Sequence, residues 1–163
     1  MPDNKAIFNK DFTNKTVTIE KLFIASLAKV WEYYSDGEKM AKWWGPETWP
    51  ASSVSFDFRD GGHWHYFMTG PDGTKAYGYI NYLKIEPMKG FHAKDYFSNA
   101  KGTVDETLPQ TDWVTTFEEI DGKTKLTIVN TYESAADMQK LVEMGFEEGF
   151  TSALTNLDKL LEI

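Results

Sequence analysis

The chain has 163 residues, which is enough for one domain that buries about two thirds of its unfolded surface. It contains no cysteine, and this excludes disulfides, thiolate catalysis and cysteine-ligated zinc. Its net charge of -8 is not offset by any cluster of Lys and Arg, so we expect no nucleic-acid partner.

The first residues lack the basic and then apolar pattern of a secretion signal, and no apolar run is long enough to cross a bilayer. We therefore expect a cytoplasmic protein that is not inserted into a membrane. Aromatic residues make up 15% of the chain, and many fall in segments that alternate like strands. This content predicts either an aromatic-rich core or an aromatic pocket.

Residues 1–15 are polar and show no periodicity, so we expect an N-terminal arm without regular structure. A single domain over 16–163 is expected to follow. It begins with a strand over 16–23, because Val17 and Ile19 alternate there with polar residues.

Two short helices are predicted after the first strand. Ser26 is placed to cap the first helix and Asp36 to cap the second. Gly45 and Pro46 end the second helix, since proline lacks an amide donor and restricts the backbone. The inward-facing residues are Leu27, Val30, Trp31 and Tyr34 in the first helix, and Met40, Trp43 and Trp44 in the second. We expect one of the two tryptophans to fix its helix to the sheet and the other to gate a pocket.

The middle of the chain has the pattern of antiparallel strands joined by tight turns. Val54, Phe56 and Phe58 alternate with polar residues, which predicts that they share one buried face. Further strands are predicted over 63–69, 75–86, 91–97, 113–120 and 125–132. The polar segment 98–110 is expected to be a loop and could serve as a mobile lid over one end of the sheet.

The last segment is predicted to be one long helix from about residue 135 to the end, with one broad apolar face. Ser134, followed three residues later by Asp137, resembles a capping box. Gly145 and Gly149 lie on the same face and together oppose helix formation by about 2 kcal/mol. They predict either a close contact between helix and sheet or the wall of a cavity.

Strands joined by turns and followed by a long helix indicate an α+β fold, in which an antiparallel sheet covers the helix. If space remains between sheet and helix, its wall would come from aromatic residues of the strands and short helices, and from small and apolar residues of the long helix. The candidate lining residues are Trp43, Trp44, Phe56, Trp64, Tyr66, Tyr79, Tyr96, Trp113, Met144, Gly145, Phe146, Gly149 and Phe150.

Short motifs occur in a fixed order between about residues 16 and 162. They are Lys29-Val30-Trp31, 40–44 with Gly45-Pro46, Arg59-Asp60-Gly61-Gly62, Tyr77-Gly78, Pro87, Asp95-Tyr96-Phe97 with Gly102, Pro109, Thr116-Phe117-Glu118-Glu119 and 144–150. This ordered set resembles the START-like or SRPBCC superfamily and, more closely, its branch of activator of heat-shock protein 90 ATPase homologues (AHSA1-like). The resemblance implies a helix-grip (Bet v 1/START-like) fold, in which a curved antiparallel sheet wraps around a long C-terminal helix and encloses a cavity.

The resemblance constrains function less than fold. Helix-grip domains include lipid carriers, hormone receptors, aromatase and cyclase enzymes, resistance proteins and co-chaperones. The eukaryotic co-chaperone that names the branch resembles this chain only through its C-terminal domain, and a further N-terminal domain makes much of its chaperone contact. We therefore rank chaperone activation as a secondary hypothesis.

Two histidines raise the question of a metal site. His63 and His65 share one strand face and, with His92 or a carboxylate, could coordinate a metal. No third ligand lies at a characteristic spacing, so we predict no metal site and place both histidines on the solvent face.

The opposite face of that strand is predicted to point at the long helix. It carries Trp64, Tyr66 and Met68. A one-residue slip at the Gly61-Gly62 turn would reverse the two faces, so both orientations stay open.

Two carboxylates lie in half-apolar strands. If Asp57 or Asp95 were buried, its pKa would be raised into a range suited to acid–base chemistry, but we expect both to face water or bond turn amides. Arg59 is placed to pair with Asp57. No nucleophile elbow, spaced triad or phosphate loop is present, so we predict no catalytic residue and no cofactor.

These observations favour a domain that binds a small apolar or amphipathic molecule in an internal cavity without catalysis. The alternative is an interaction protein with a filled cavity and an acidic outer face for a partner such as a chaperone. The third hypothesis is a cofactor-free cyclase or hydrolase that uses Asp57, Asp95 or His65. The pattern is compatible with a monomer and with a homodimer.

Overall fold

The computed structural model describes residues 5–162 of the chain. Within them, eight strands form one sheet, and four helices accompany it. The strands are β1 (Ile7–Asp11), β2 (Thr16–Phe23), β3 (Ala51–Asp57), β4 (His63–Thr69), β5 (Lys75–Glu86), β6 (Gly90–Ser98), β7 (Thr111–Ile120) and β8 (Lys123–Thr131). The helices are α1 (Leu27–Ser35), α2 (Gly37–Trp44), α3 (Ala135–Glu143) and α4 (Phe146–Leu161).

The sheet is antiparallel and follows the order β1-β2-β8-β7-β6-β5-β4-β3. Strands β3 to β8 therefore form an uninterrupted meander, and α1 and α2 carry the chain from β2 to the far edge at β3. The sheet is curved, and α4 buries five residues beneath it: Phe150, Ala153, Leu154, Leu157 and Leu161. The α+β prediction and the helix-grip architecture are confirmed.

The helix starts predicted from side-chain caps are confirmed. The Ser26 hydroxyl accepts the Lys29 amide at 3.3 Å, and the Asp36 carboxylate accepts the Glu38 amide at 2.9 Å. At the start of α3, the Ser134 hydroxyl accepts the amide of Asp137 at 3.0 Å. Each cap satisfies an amide that has no partner within its helix, so these short motifs set the helix starts locally.

Residues 7–11 form the edge strand β1, whereas we expected the whole of 1–15 to lack regular structure. Residues 1–4 of that arm, like Ile163, lie outside the described part of the chain. β1 has little apolar patterning because it is mostly exposed, and its pairing with β2 defines it. It is also tied to α4, since Phe8 packs edge-on against Phe146 and the Lys10 ammonium lies 2.8 Å from the Glu147 carboxylate.

The C-terminal segment forms two helices, so the prediction of one continuous helix is wrong. Gly145 has φ +85°, a left-handed conformation that ends α3, and α4 begins at the next residue. The apolar spacing continues across the break, which is why the pattern resembled a single helix. Met144, beside the break, is 51% exposed.

The predicted faces of β3 and β4 are partly confirmed. A register shift between Ser53 and Ser55 turns Val54 outward, where it is 50% exposed, so it does not share the face of Phe56. On β4, Trp64 and Tyr66 face the core, as predicted.

The expectation that both histidines of β4 face solvent is wrong for His65. It lies on the opposite face from Trp64 but is only 4% exposed. The loop after β6 covers it, and His65 Nε2 lies 3.1 Å from the carbonyl oxygen of Asn99.

Candidate functional site

A cavity of about 180 Å³ lies between the sheet and the C-terminal helices. Strands β4 to β7 form one wall, and α4 with the end of α3 forms the other. Pro46, after α2, and Pro109, in the loop before β7, also border it. The wall is predominantly apolar and aromatic, and the cavity is partly open to the outside. The space between sheet and helices is therefore not packed solid, unlike the rest of the core.

Several of the residues predicted from the sequence surround this space. They are Trp44, Tyr66, Tyr96, Trp113, Phe146, Gly149 and Phe150. The rings contact one another: the centroid of Trp44 lies 5.6 Å from that of Trp113 and 5.7 Å from that of Phe150. Gly149 leaves room at the helix surface, because a β-carbon there would meet only Pro46, at 3.6 Å.

The other predicted residues lie elsewhere. Trp43 and Trp64 are fully buried, and Phe56 packs beside them. Tyr79 is on the outer face of β5, stacked on His63 with ring centroids 5.3 Å apart, because the inward positions of β5 belong to its even-numbered neighbours. Met144 and Gly145 lie at the helix break, outside the cavity wall.

The two adjacent tryptophans lie in different surroundings, and the gating role stays a prediction. Trp43 is 0% exposed, and its indole N–H donates to the Tyr33 carbonyl at 3.0 Å, which fixes α2 within the core. Trp44 instead borders the cavity. The residue pair alone could not show which of the two borders the cavity, since both positions are apolar and aromatic.

The sequence interpretation missed the remaining wall residues: Pro46, Met68, Ala76, Tyr77, Gly78, Asp95, Phe97, Pro109, Thr111 and Leu141. Most are small, or lie in strands for which the sequence did not show which alternate residues face the C-terminal helices. The sequence pattern places Met68 on the inward face of β4 but does not assign it to a cavity. The Tyr77-Gly78 and Asp95-Tyr96-Phe97 motifs were the available signal for this part of the wall.

Asp95 is the chemically distinctive group of the wall. We expected it to face water, but it lies on β6 and faces the cavity, where burial raises the pKa of its carboxyl to about 7. Hydrogen bonds from the Tyr66 hydroxyl, at 3.5 Å, and from the Tyr96 amide partly offset this burial. At neutral pH the carboxyl is therefore close to half ionised.

The glycine at position 78 makes the contact between Tyr66 and Asp95 possible. Gly78 lies on β5, between the strands that carry these two residues, and pairs with Tyr66 on β4. A β-carbon at Gly78 would lie 2.4 Å from Cζ of Tyr66, inside van der Waals contact. The missing side chain lets the phenol ring lie across β5 and extend its hydroxyl toward β6.

Tyr66 and Tyr132, two of the buried tyrosines near Asp95, stay protonated. Burial and, after it, the charge of Asp95 raise the pKa of Tyr66 well above its ordinary value. Burial also raises the pKa of Tyr132 to about 12, with a smaller contribution from Asp95. Both residues can therefore act as hydrogen-bond donors but not as bases near neutral pH.

The other candidates for acid–base chemistry lie away from the cavity. Asp57 pairs with Arg59 at the exposed end of β3, with Nε and Oδ2 2.7 Å apart, as predicted. His92 is on the outer face of β6 and lies 2.6 Å from the Asp112 carboxylate. Within residues 5–162, no histidine lines the cavity and no group of three His, Asp or Glu side chains is placed to hold a metal. The described wall residues therefore bring no histidine or second carboxylate together with Asp95.

None of the helices in the described part of the chain is long and apolar enough to cross a membrane.

No curated protein matches the chain. A solved structure of a protein from Arthrobacter aurescens is similar, with 36% identity, coverage of 96% of this chain and 91% of that chain, and a TM-score of 0.91. A protein from Mycobacterium smegmatis is 38% identical, with 95% of each chain covered and a TM-score of 0.88. A protein from Staphylococcus epidermidis is 28% identical, with 95% of this chain and 93% of that chain covered and a TM-score of 0.83.

The family model described as activator of Hsp90 ATPase homolog 1-like protein matches residues 24–162. That range begins just after β2 and includes every element that borders the cavity. The chain therefore belongs to the family of activator of Hsp90 ATPase homolog 1-like proteins.

Proposed function

We propose that this protein binds a small, mainly apolar molecule in the cavity between α4 and the sheet, without chemical turnover. The observation that carries the proposal is the cavity itself, with its aromatic wall of Trp44, Trp113 and Phe150. An engineered apolar cavity of about 150 Å³ accepts benzene, so about 180 Å³ suits one ring with a short substituent.

The apolar lining of the cavity also favours a functional role. A bound apolar molecule would remove this wall from water and add dispersion contacts to it. Binding to the folded state alone would in turn stabilise the fold.

Two other functions receive less support. The family description names an activator of the Hsp90 ATPase, but a domain that acts only through its outer surface needs no open cavity. An enzyme of the cyclase or hydrolase type would need Asp95 to work with a second acid or base. Its near neighbours Tyr66 and Tyr132 have raised pKa values, so neither supplies a base near neutral pH.

A calorimetric titration with 2-phenylethanol tests the proposal. We expect the wild-type protein to bind this neutral probe and Gly149→Leu to lose binding, because the new side chain grows from the cavity wall. Thr151→Leu, which adds the same side chain to an exposed position of α4, is the matched control and should bind like the wild type. Unchanged binding by a folded Gly149→Leu protein would contradict the proposal.

Native mass spectrometry of protein purified from its own host would identify the natural ligand class. We expect a non-covalent small molecule on the wild-type protein and on Thr151→Leu, but not on Gly149→Leu. Equal occupancy of all three proteins would place the bound molecule outside the cavity.

A further inference from the structure

Asp95 is an isolated charge in an apolar site. It is the one Asp, Glu, Lys, Arg or His side chain among the described residues that border the cavity. Across residues 5–162 no Lys, Arg or His lies within ion-pairing distance of it. Carboxylates in protein interiors are ordinarily paired with a cation, because taking an unpaired charge out of water is costly.

The position of this carboxyl is built into the fold. Gly78 leaves space for the Tyr66 ring, and the Tyr66 hydroxyl then lies 3.5 Å from Oδ1 of Asp95. The Tyr96 amide supplies a second hydrogen bond. A carboxylate has about four acceptor positions, so two donors leave capacity for a donor on a ligand.

The rest of the wall suits the other half of a cationic ligand. The rings of Trp113 and Phe150 are 5.4 Å apart and meet nearly edge to face, at 75°. Trp44 lies against both. Aromatic faces attract an ammonium group through their quadrupole and also bury an apolar body, so one site can hold both ends of an amphipathic amine.

We propose, on the basis of the binding function above, that the ligand is a small amphipathic amine whose ammonium group is held by Asp95 and whose apolar body lies among Trp44, Trp113 and Phe150. The ligand supplies the counter-charge that the protein does not. A carboxylate ligand would instead place a second negative charge beside Asp95, with no basic side chain among the described wall residues to compensate for it.

Binding of an amine, a carboxylate and a neutral alcohol should respond differently to pH. An alkylammonium group, like that of lysine, titrates at about pH 10 and stays charged below pH 8. Because the pKa of Asp95 is about 7, an amine that needs the ionised carboxyl should bind about tenfold more tightly at pH 8 than at pH 6. A carboxylate ligand should show the opposite trend, and a neutral alcohol a much weaker one.

The experiment compares 2-phenylethylamine, 2-phenylethanol and 3-phenylpropionate by calorimetry at pH 6 and pH 8. At pH 8 we expect the amine to bind at least about tenfold more tightly than the alcohol, because hydrogen bonds to a charged partner are the stronger ones. We also expect the amine to gain about tenfold from pH 6 to pH 8. Asp95→Asn should abolish both effects, whereas Asp121→Asn, which removes a carboxylate from the exposed turn after β7, should keep them.

The outcomes separate this inference from the function on which it depends. If the alcohol binds and the amine binds no more tightly than the alcohol at pH 8, the amine assignment is overturned and the cavity function stands. If no probe binds to the wild-type protein, both are overturned. If Asp95→Asn does not fold, the wild-type pH trend decides, and an amine that binds no more tightly at pH 8 than at pH 6 overturns the assignment.

Discussion

Replacing Asp95 with asparagine should make the protein more stable at neutral and alkaline pH. The amide keeps the size of the carboxyl and most of its hydrogen-bonding capacity, but it cannot ionise. In the folded protein, burial raises the pKa of Asp95 from 3.8 to about 7, whereas the unfolded chain keeps the ordinary value. The folded state therefore holds this proton more tightly than the unfolded state does.

The sign and size of the effect follow from this difference. Because the folded pKa is the higher one, the contribution of Asp95 to stability is fully present below pH 3.8 and is lost as the pH rises to about 7. Each pH unit in that window lowers the free energy of unfolding by about 1.4 kcal/mol. Relative to Asp95→Asn, the wild-type protein should therefore lose about 4 kcal/mol between about pH 4 and pH 8.

Urea denaturation of both proteins at intervals from pH 4 to pH 8.5 measures this difference. Subtracting one profile from the other cancels the titration of the remaining carboxylates, and Asp121→Asn should run parallel to the wild type. A difference between the wild type and Asp95→Asn that stays constant across this range would refute the inference that the cavity wall shields Asp95 from water.

Four further substitutions test the local geometry by urea denaturation. Gly78→Ala should destabilise the fold by about 1–3 kcal/mol, because the new β-carbon overlaps the Tyr66 ring, and it should cost much less in a Tyr66→Ala background. Alanine should have opposite effects at the two glycines of the C-terminal segment. Gly145→Ala should destabilise the fold by about 1–2 kcal/mol, because the backbone of Gly145 is left-handed, with φ +85°. Gly149→Ala should stabilise it by up to about 1 kcal/mol, because alanine favours the helix and has room there. Ser134→Ala should cost about 1 kcal/mol, because the amide of Asp137 loses its cap. Equal effects of alanine at Gly145 and Gly149 would contradict the different backbone conformations of the two glycines. A Gly78→Ala cost that does not depend on Tyr66 would contradict the contact with the Tyr66 ring. Unchanged stability of Ser134→Ala would contradict the cap.

Most of the fold could be predicted because its signals are local. Capping side chains, tight turns and period-two alternation depend on residues close together in the sequence, and the strand meander follows from them. The errors arose where distant pairing or backbone detail decides the structure. The strand β1 is defined by its partner β2, and the break between α3 and α4 depends on the left-handed backbone of Gly145.

Part of the aromatic cavity wall was predictable, but its polar group was not. Trp44, Trp113 and Phe150 stand out as aromatic residues on apolar faces, and all three border the cavity. Asp95 alternates in β6 with Lys94 and Tyr96, and nothing in that pattern shows which side faces the helix. Its inward orientation comes from the register of β6 between its two neighbouring strands.

An isotope-filtered NOESY spectrum of the labelled protein with unlabelled 2-phenylethylamine, recorded near its dissociation constant, tests ligand binding in the cavity most directly. We expect intermolecular contacts from the ring of the probe to Trp44, Trp113 and Phe150, and from its CH₂ group beside the ammonium to the β-protons of Asp95. Contacts confined to exposed side chains such as Val54 and Met144, with none to the cavity wall, would contradict the proposed function.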